Sequence, residues 1–347
     1  MKIMKYRQEN SILSGSNFSK ISDIVFSEFI SKEDYIKKNL GKNIVLYEEK
    51  NFLLYQLLNF EIYENSVIFC NTHTLKSLFK HLYKINNLRN IKLITHQTDI
   101  EINEKLFKLK PKCISEWYST NVSYDDKSLI PIPLGVGNNF QKNQINSSSK
   151  IKDITISDIN LTSNLYLNFK ISTNFSERLN LYEYFSDKTF TKIDEPKLSL
   201  NEYMDAIHKS SFVLSPWGNG IDTHRIWEAL YLGKIPITKF HQNFSSFSNL
   251  PILFVDNYFH INEGMLNTFI KKFSSNSYSM DMLDLGYWHK KINLIKIDDD
   301  QLFISNQSLL FGIIYKFRFN ISKVIKSKYK IFKFYLRQLK KIPKKFF

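Results

Sequence analysis

The sequence predicts an α/β protein of two domains, each a parallel sheet covered by helices, facing one another across a cleft and followed by a basic amphipathic helix. Three observations predict it. Short apolar runs alternate with helix-length stretches in residues 1–140, and the alternation restarts in 151–305. Between the two series, residues 138–150 (NNFQKNQINSSSK) are polar and read as a linker. Residues 306–347 form a distinct, Lys-rich end.

In the first series, residues 43–47 (NIVLY), 66–70 (SVIFC) and 91–95 (IKLIT) read as buried strands, with helices over 74–85 and 100–108. Residues 130–133 close this half as a strand and lead into Leu134-Gly135-Val136-Gly137. In the second series, strands are expected at 164–171 (NLYLNFKI), 211–215 (SFVLS), 234–238 (KIPIT) and 252–255. Helices are expected over 177–185, 200–209 and 222–232.

A chain of 347 residues that is 43% hydrophobic and 23% charged has enough material for two globular cores. Its only cysteines, Cys70 and Cys113, form no CxxC or Cys/His spacing, so neither a disulfide framework nor a metal site is expected. Residues 1–20 hold no signal-peptide-like apolar run, and no stretch reaches the roughly 18–20 apolar residues of a membrane span. A cytoplasmic protein is expected.

The net charge of +15 is unevenly spread: residues 311–347 contain twelve Lys or Arg and no acidic residue, which leaves +3 for the rest. A nearly balanced body with a basic tail argues against a uniformly basic nucleic-acid binder, and no nucleic-acid partner is expected. In the tail, Ile321, Val324, Ile325, Tyr329, Phe332 and Leu336 recur at three- and four-residue steps with Lys between them. This is the pattern of a helix lying on an anionic membrane surface, here the inner face. The alternatives are a helix packed back onto the first domain and a solvated basic end.

The chemistry concentrates in residues 211–238 (SFVLSPWGNGIDTHRIWEALYLGKIPIT). An apolar strand ends at Ser215-Pro216, and a loop carrying Gly218, Asn219 and Gly220 follows. A helix opens at Asp222, read as its N-cap, and stops at Gly233 before the next strand. Such a junction presents free backbone N–H groups to an anion at the carboxyl end of a sheet. His224, Arg225 and Glu228 fall near one face of the helix. A guanidinium suits a diphosphate and a carboxylate suits a ribose diol, which together are what a sugar nucleotide needs. The plainer readings are an Asp222 that only caps, an Arg225–Glu228 surface pair, and a His224/Glu228 metal pair lacking a third ligand. Trp227, Ala229 and Leu230 are assigned to the core.

The stretch SPWGNGIDTHRIWEALYLGKIPI resembles the signature of exostosin-like and related glycosyltransferases of GT-B architecture, which have two Rossmann-like domains. Asn168-Phe169, Thr173-Asn174 and Glu177-Arg178 resemble the start of the donor domain of such enzymes. Trp117-Tyr118-Ser119-Thr120-Asn121 and Ile132-Pro133-Leu134-Gly135 resemble first-domain elements more loosely. Lys234 departs from the small or apolar residue usual there.

The resemblance implies metal-independent transfer of a sugar from a nucleotide-sugar co-substrate, with no resident cofactor, to a hydroxyl of a glycan or lipid-linked glycan. Surface polysaccharide synthesis would fit. It implies that Arg225 stabilises the departing diphosphate, that Glu228 holds the ribose, and that Ser215, Gly218, Asn219, Gly220, Asp222 and His224 shape the donor site. A general base, needed for inversion, is sought at the strand ends of the first domain. His73, His96 and Asp99 are the candidates, with Asp99 and His96 preferred; the alternatives are that His96 and Asp99 cap the helix after them and that His73 is a polar loop residue, and Asn121, read as following a helix near the domain junction, is a weaker contact candidate. Rival readings are a sugar-nucleotide epimerase of the same fold and a non-catalytic nucleotide- or nucleic-acid-binding protein.

Overall fold

The computed structural model describes residues 11–138, 140, 162, 164–275, 278–293 and 301–339. The linker expected over 138–150 lies almost wholly outside the described residues.

The first sheet has seven strands, β1 (Ile24–Ser31), β2 (Asn43–Glu48), β3 (Phe52–Leu57), β5 (Val67–Asn71), β6 (Ile91–His96), β7 (Ile114–Ser119) and β8 (Leu129–Pro131), in the order β2-β3-β1-β5-β6-β7-β8. From β1 to β8 every pairing is parallel, while β3 runs antiparallel to both β1 and β2. The sheet is therefore mixed. The 43–47 run forms an edge strand, half-buried over most of its length, and not a central one. The segment between 100 and 108 forms only the short helix α4 (Glu104–Phe107), capped by the Asn103 side chain. The Trp117-Tyr118 element is the buried strand β7; Asn121 follows this strand and not a helix.

The second sheet is all parallel: β9 (Leu165–Leu167), β10 (Thr191–Ile193), β11 (Phe212–Leu214), β12 (Ile235–Lys239) and β13 (Leu253–Val255), in the order β10-β9-β11-β12-β13. Crossovers between parallel strands require long connections, and α5 (Phe175–Phe185), α6 (Leu200–His208) and α7 (His224–Tyr231) supply three of them. Ser199 and Glu202 close a capping box on α6. The smaller helices α1 (Gly15–Lys20), α2 (Lys32–Lys37) and α3 (Leu75–Leu82) belong to the first half, and α8 (Glu263–Ser275) and α9 (Leu285–Ile292) follow the second sheet.

The two halves do not keep separate cores. One buried cluster belongs to the first sheet (Phe26, Tyr55, Ile68, Leu93, Trp117) and two to the second. A further cluster is shared: Leu13, Phe18 and Ile132 from the first half pack with Trp227, Tyr231 and Trp288. Tyr231 also accepts the Leu13 amide hydrogen at 2.8 Å.

The chain then returns to the first half. Strand β14 (Phe303–Asn306), expected to end the second domain, pairs antiparallel with β4 (Asn59–Ile62). Helix α10 (Leu309–Leu339) then crosses β2. Gly312 permits the approach, since a Cβ there would lie 2.8 Å from Leu58 Cδ2. No helix among the described residues is long and apolar enough to cross a membrane.

Candidate active site

The loop between β11 and α7 is held from both sides. Asn121 sits at φ +56°, a left-handed conformation that Asn tolerates better than most residues, just beyond β7. Its Oδ1 accepts the backbone N–H groups of Ile221 (2.9 Å) and Asp222 (3.1 Å), and its Nδ2 donates to the Thr98 carbonyl (3.1 Å). A Cβ on Gly220 would lie 2.7 Å from Asn121 Oδ1, so the absent side chain is what lets the two segments meet. From the other side, Arg178 on α5 donates to the carbonyls of Pro216 (2.7 Å) and Trp217 (3.0 Å), and also to Lys170 O and Thr173 Oγ1.

Asp222 does not cap the helix. Helix α7 starts at His224, and its N-cap, Thr223, makes no side-chain cap bond. Asp222 is buried and accepts the Leu134 amide hydrogen (2.9 Å) from the first half and the Trp227 Nε1–H (2.8 Å) from its own helix. An N-cap carboxylate would face its own first turn; here the cross-domain amide takes it. Burial pushes its carboxyl up to about 7. His224 Nδ1 lies 2.7 Å from the Gly135 carbonyl, a third link between the halves. The helix stop expected at Gly233 is present, with φ +69°.

A cavity of about 720 Å³ opens where these segments converge. Volumes of this size suit a small-molecule ligand. Gln97, Thr98, Asp99 and Asn138 line it from the first half. Gly218, Asn219, Gly220, Asp222, His224, Arg225 and Glu228 line it from the second, so the sequence-derived donor residues are brought together. Ser215 is the exception: it is fully buried, its amide donates to Ile237 O and its hydroxyl to Val213 O. It supports the sheet and does not reach the cavity.

The first-domain candidates separate. Asp99 is exposed and lines the cavity. His96 is 1% exposed; its Nδ1 accepts the Gln97 amide hydrogen (2.6 Å) and its Nε2 lies 3.2 Å from Pro133 O. Burial holds its imidazole down at about 3, so it is neutral, and both nitrogens are taken. The expectation of a cleft-facing base at His96 is corrected on that ground. His73 is remote as well: its ring packs edge-on against Phe319 and its carbonyl accepts from Tyr315 Oη.

The electrostatics of the cavity are unbalanced. Arg178 and Arg225 both lie over the Phe169 ring, with centroid distances of 5.3 and 5.8 Å. Burial first, and Arg225 second, depress Arg178 to about 10. Among the described residues neither guanidinium makes an ion pair. Glu228, expected either as a surface partner of Arg225 or as a ribose ligand, accepts from Tyr203 Oη (2.7 Å). Arg225 Nε and Thr223 Oγ1 are buried with no hydrogen-bond partner among the described residues. Two cations and two unsatisfied buried polar atoms beside the first turn of α7 call for an anion. Among the described residues no group of three or more His, Cys, Asp or Glu side chains is poised to hold a metal ion.

Lys170, Tyr203 and Asn138 are among the lining residues that sequence reasoning missed. Tyr203 carried no signal, because its partner Glu228 is 25 residues away on another helix. Lys170 follows directly on the Asn168-Phe169 pair already singled out, and that proximity could have marked it.

Residues 170–266 match the family model of the RXYLT1 C-terminal domain. A search of curated proteins gives no match. The matched segment runs from just after β9 into α8 and contains Arg178, the glycine loop and the whole of α7. That similarity supports, for the part of the chain that builds most of the cavity, kinship with the exostosin-related glycosyltransferases.

Proposed function

We propose that this protein is a GT-B glycosyltransferase that moves a sugar from a nucleoside-diphosphate donor to a glycan hydroxyl in the cavity between its two sheets. The observation that carries the reading is Arg225. Among the described residues its Nε is buried and unpartnered at the first turn of α7, with the buried Arg178 guanidinium, which makes no ion pair there, beside it.

In this reading the diphosphate lies against Arg225, Lys170, Thr223 Oγ1 and the free N–H groups of α7. Arg178 keeps the loop in place through its carbonyl contacts and adds positive potential. Glu228, oriented by Tyr203, takes the ribose hydroxyls. The acceptor approaches from the first half. As its oxygen attacks the anomeric carbon, its proton passes to Asp99 and the bond to the diphosphate breaks. The electron pair leaves with the nucleoside diphosphate, where Arg225 and the helix terminus face the growing charge. Asp99 is the acidic side chain that the first half contributes to the cavity lining.

The test is a thermal-shift screen of nucleoside diphosphates and sugar nucleotides on wild type and Arg225→Ala. A nucleotide that raises the wild-type Tm and loses most of that effect in the variant supports the site. If Arg225→Ala keeps the full shift, or no nucleotide in the panel shifts the wild type, the assignment fails.

A further inference from the structure

Helix α10 is apolar on two opposite faces. One face is consumed by the protein. Gly312 abuts Leu58 and Ile44, Tyr315 Oη donates to His73 O, Phe319 packs on the His73 ring, and Lys323 lies over the Tyr47 ring. At 100° per residue, positions 312, 315, 319 and 323 fall within one narrow sector. Positions 310, 313, 314, 317, 321, 324 and 325 fall around the opposite sector, and every one is apolar. They are also exposed: Leu310 by 67%, Phe317 by 67% and Ile325 by 61%, with Ile313, Ile314, Ile321 and Val324 between 43% and 54%.

This second stripe has the three- and four-residue spacing of a docking face, and nothing among the described residues covers it. An uncovered apolar stripe of this length is not the ordinary scatter of single surface hydrophobes. Exposed Lys316 and Arg318 stand on its two flanks and exposed Lys328 continues its line. Residues 309–339 hold eight Lys or Arg and no Asp or Glu.

We propose that the outward face of α10 docks on an anionic lipid surface, with the apolar stripe entering the headgroup boundary and the flanking cations meeting acidic headgroups. The charge selects this occupant over a second copy of the chain. Two such helices face to face would bring like charges together with no carboxylate to answer them, whereas an anionic leaflet neutralises them. The inward face packs the helix against β2, so the stripe lies on the protein surface and not across a bilayer. The inference does not depend on sugar transfer.

The experiment is co-sedimentation of the full chain with vesicles of pure phosphatidylcholine and of phosphatidylcholine mixed with phosphatidylglycerol, alongside Phe317→Asp/Ile321→Asp and Lys316→Gln/Arg318→Gln. The wild type should partition onto the mixed vesicles, less so in high salt, and weakly onto the neutral ones. The aspartate pair should abolish binding, and the glutamine pair should weaken it by roughly tenfold or more. The exposed positions leave Tm unchanged. No binding to mixed vesicles, or equal binding by the aspartate variant, overturns the proposal. So does a wild-type dimer by light scattering that the aspartate pair dissociates.

Discussion

Replacing Asn121 by Ala should cost far more than a typical loop substitution, because one side chain satisfies three buried backbone groups on two segments. The variant leaves the Ile221 and Asp222 N–H groups and the Thr98 carbonyl without their partner. An unsatisfied buried backbone group costs about 1–3 kcal/mol. Ala at a left-handed φ adds roughly 1 kcal/mol that Asn avoids. Allowing for water entering the space left beside Gly220, the expected loss is about 3–5 kcal/mol, a large part of the roughly 5–15 kcal/mol stability of an ordinary domain. Urea unfolding monitored by fluorescence measures it. Asn121→Gly separates the terms, since glycine accepts the φ of +56° but restores none of the hydrogen bonds; it should recover about 1 kcal/mol. A loss for Asn121→Ala below about 1 kcal/mol would refute the claim that this side chain holds the glycine loop.

Two other outcomes are expected. Gly220→Ala should destabilise the protein and weaken nucleotide binding, because its Cβ meets Asn121 Oδ1 at 2.7 Å. In an Asn121→Ala background the same change should cost markedly less, and equal costs in the two backgrounds would show that the clash lies elsewhere. Asp222 makes stability pH-dependent: burial raises its folded carboxyl to about 7, well above the ordinary aspartate value of about 3.9. Between those values the folded state binds the extra proton, so stability falls as pH rises through the window. Asp222→Asn cannot ionise, so its Tm should decline less than the wild type's between pH ~5 and ~8. A wild-type Tm that rises over that interval, with the variant's flat, would contradict the buried-acid reading.

The second sheet was the more legible half. Strands β11 and β12, the glycine loop and α7 are consecutive in the chain, so local signals (Gly218, Gly220, the Gly233 stop) sufficed to place them. The first sheet was harder because its register is non-local. Strand β1 pairs with β3 antiparallel and with β5 parallel, and no short window of sequence distinguishes the two kinds of neighbour. Strand β14 illustrates the limit: its partner β4 precedes it by more than two hundred residues, so proximity in sequence assigned it to the wrong half. Asp222 shows a subtler failure. Its position before a helix has the N-cap signature, yet the Leu134 amide, 88 residues away, takes the carboxylate instead. The same non-locality hid His96, which ends a strand as a cleft residue should, but turns into the Pro133 backbone.

These cross-links bear on how the cavity keeps its shape. Asn121 fixes Ile221 and Asp222, Leu134 fixes the Asp222 carboxylate, and Gly135 fixes His224. All three restraints fall on residues 221–224, the turn that delivers Arg225 to the cavity. The second sheet supplies the guanidinium, while the first half sets where it points. Aromatic packing reinforces this, since Trp227 and Tyr231, on the buried side of the same helix, share a core with Leu13, Phe18 and Ile132. Rotating α7 away from the first half would break the Leu134–Asp222 and Gly135–His224 hydrogen bonds, strand the Ile221 and Asp222 amides and open that core at once. The α7 side of the cavity is therefore built with the halves together, and any motion that opens the cavity is accommodated more cheaply on its rim, where Asp99 and Asn219 are exposed, than at the base of α7.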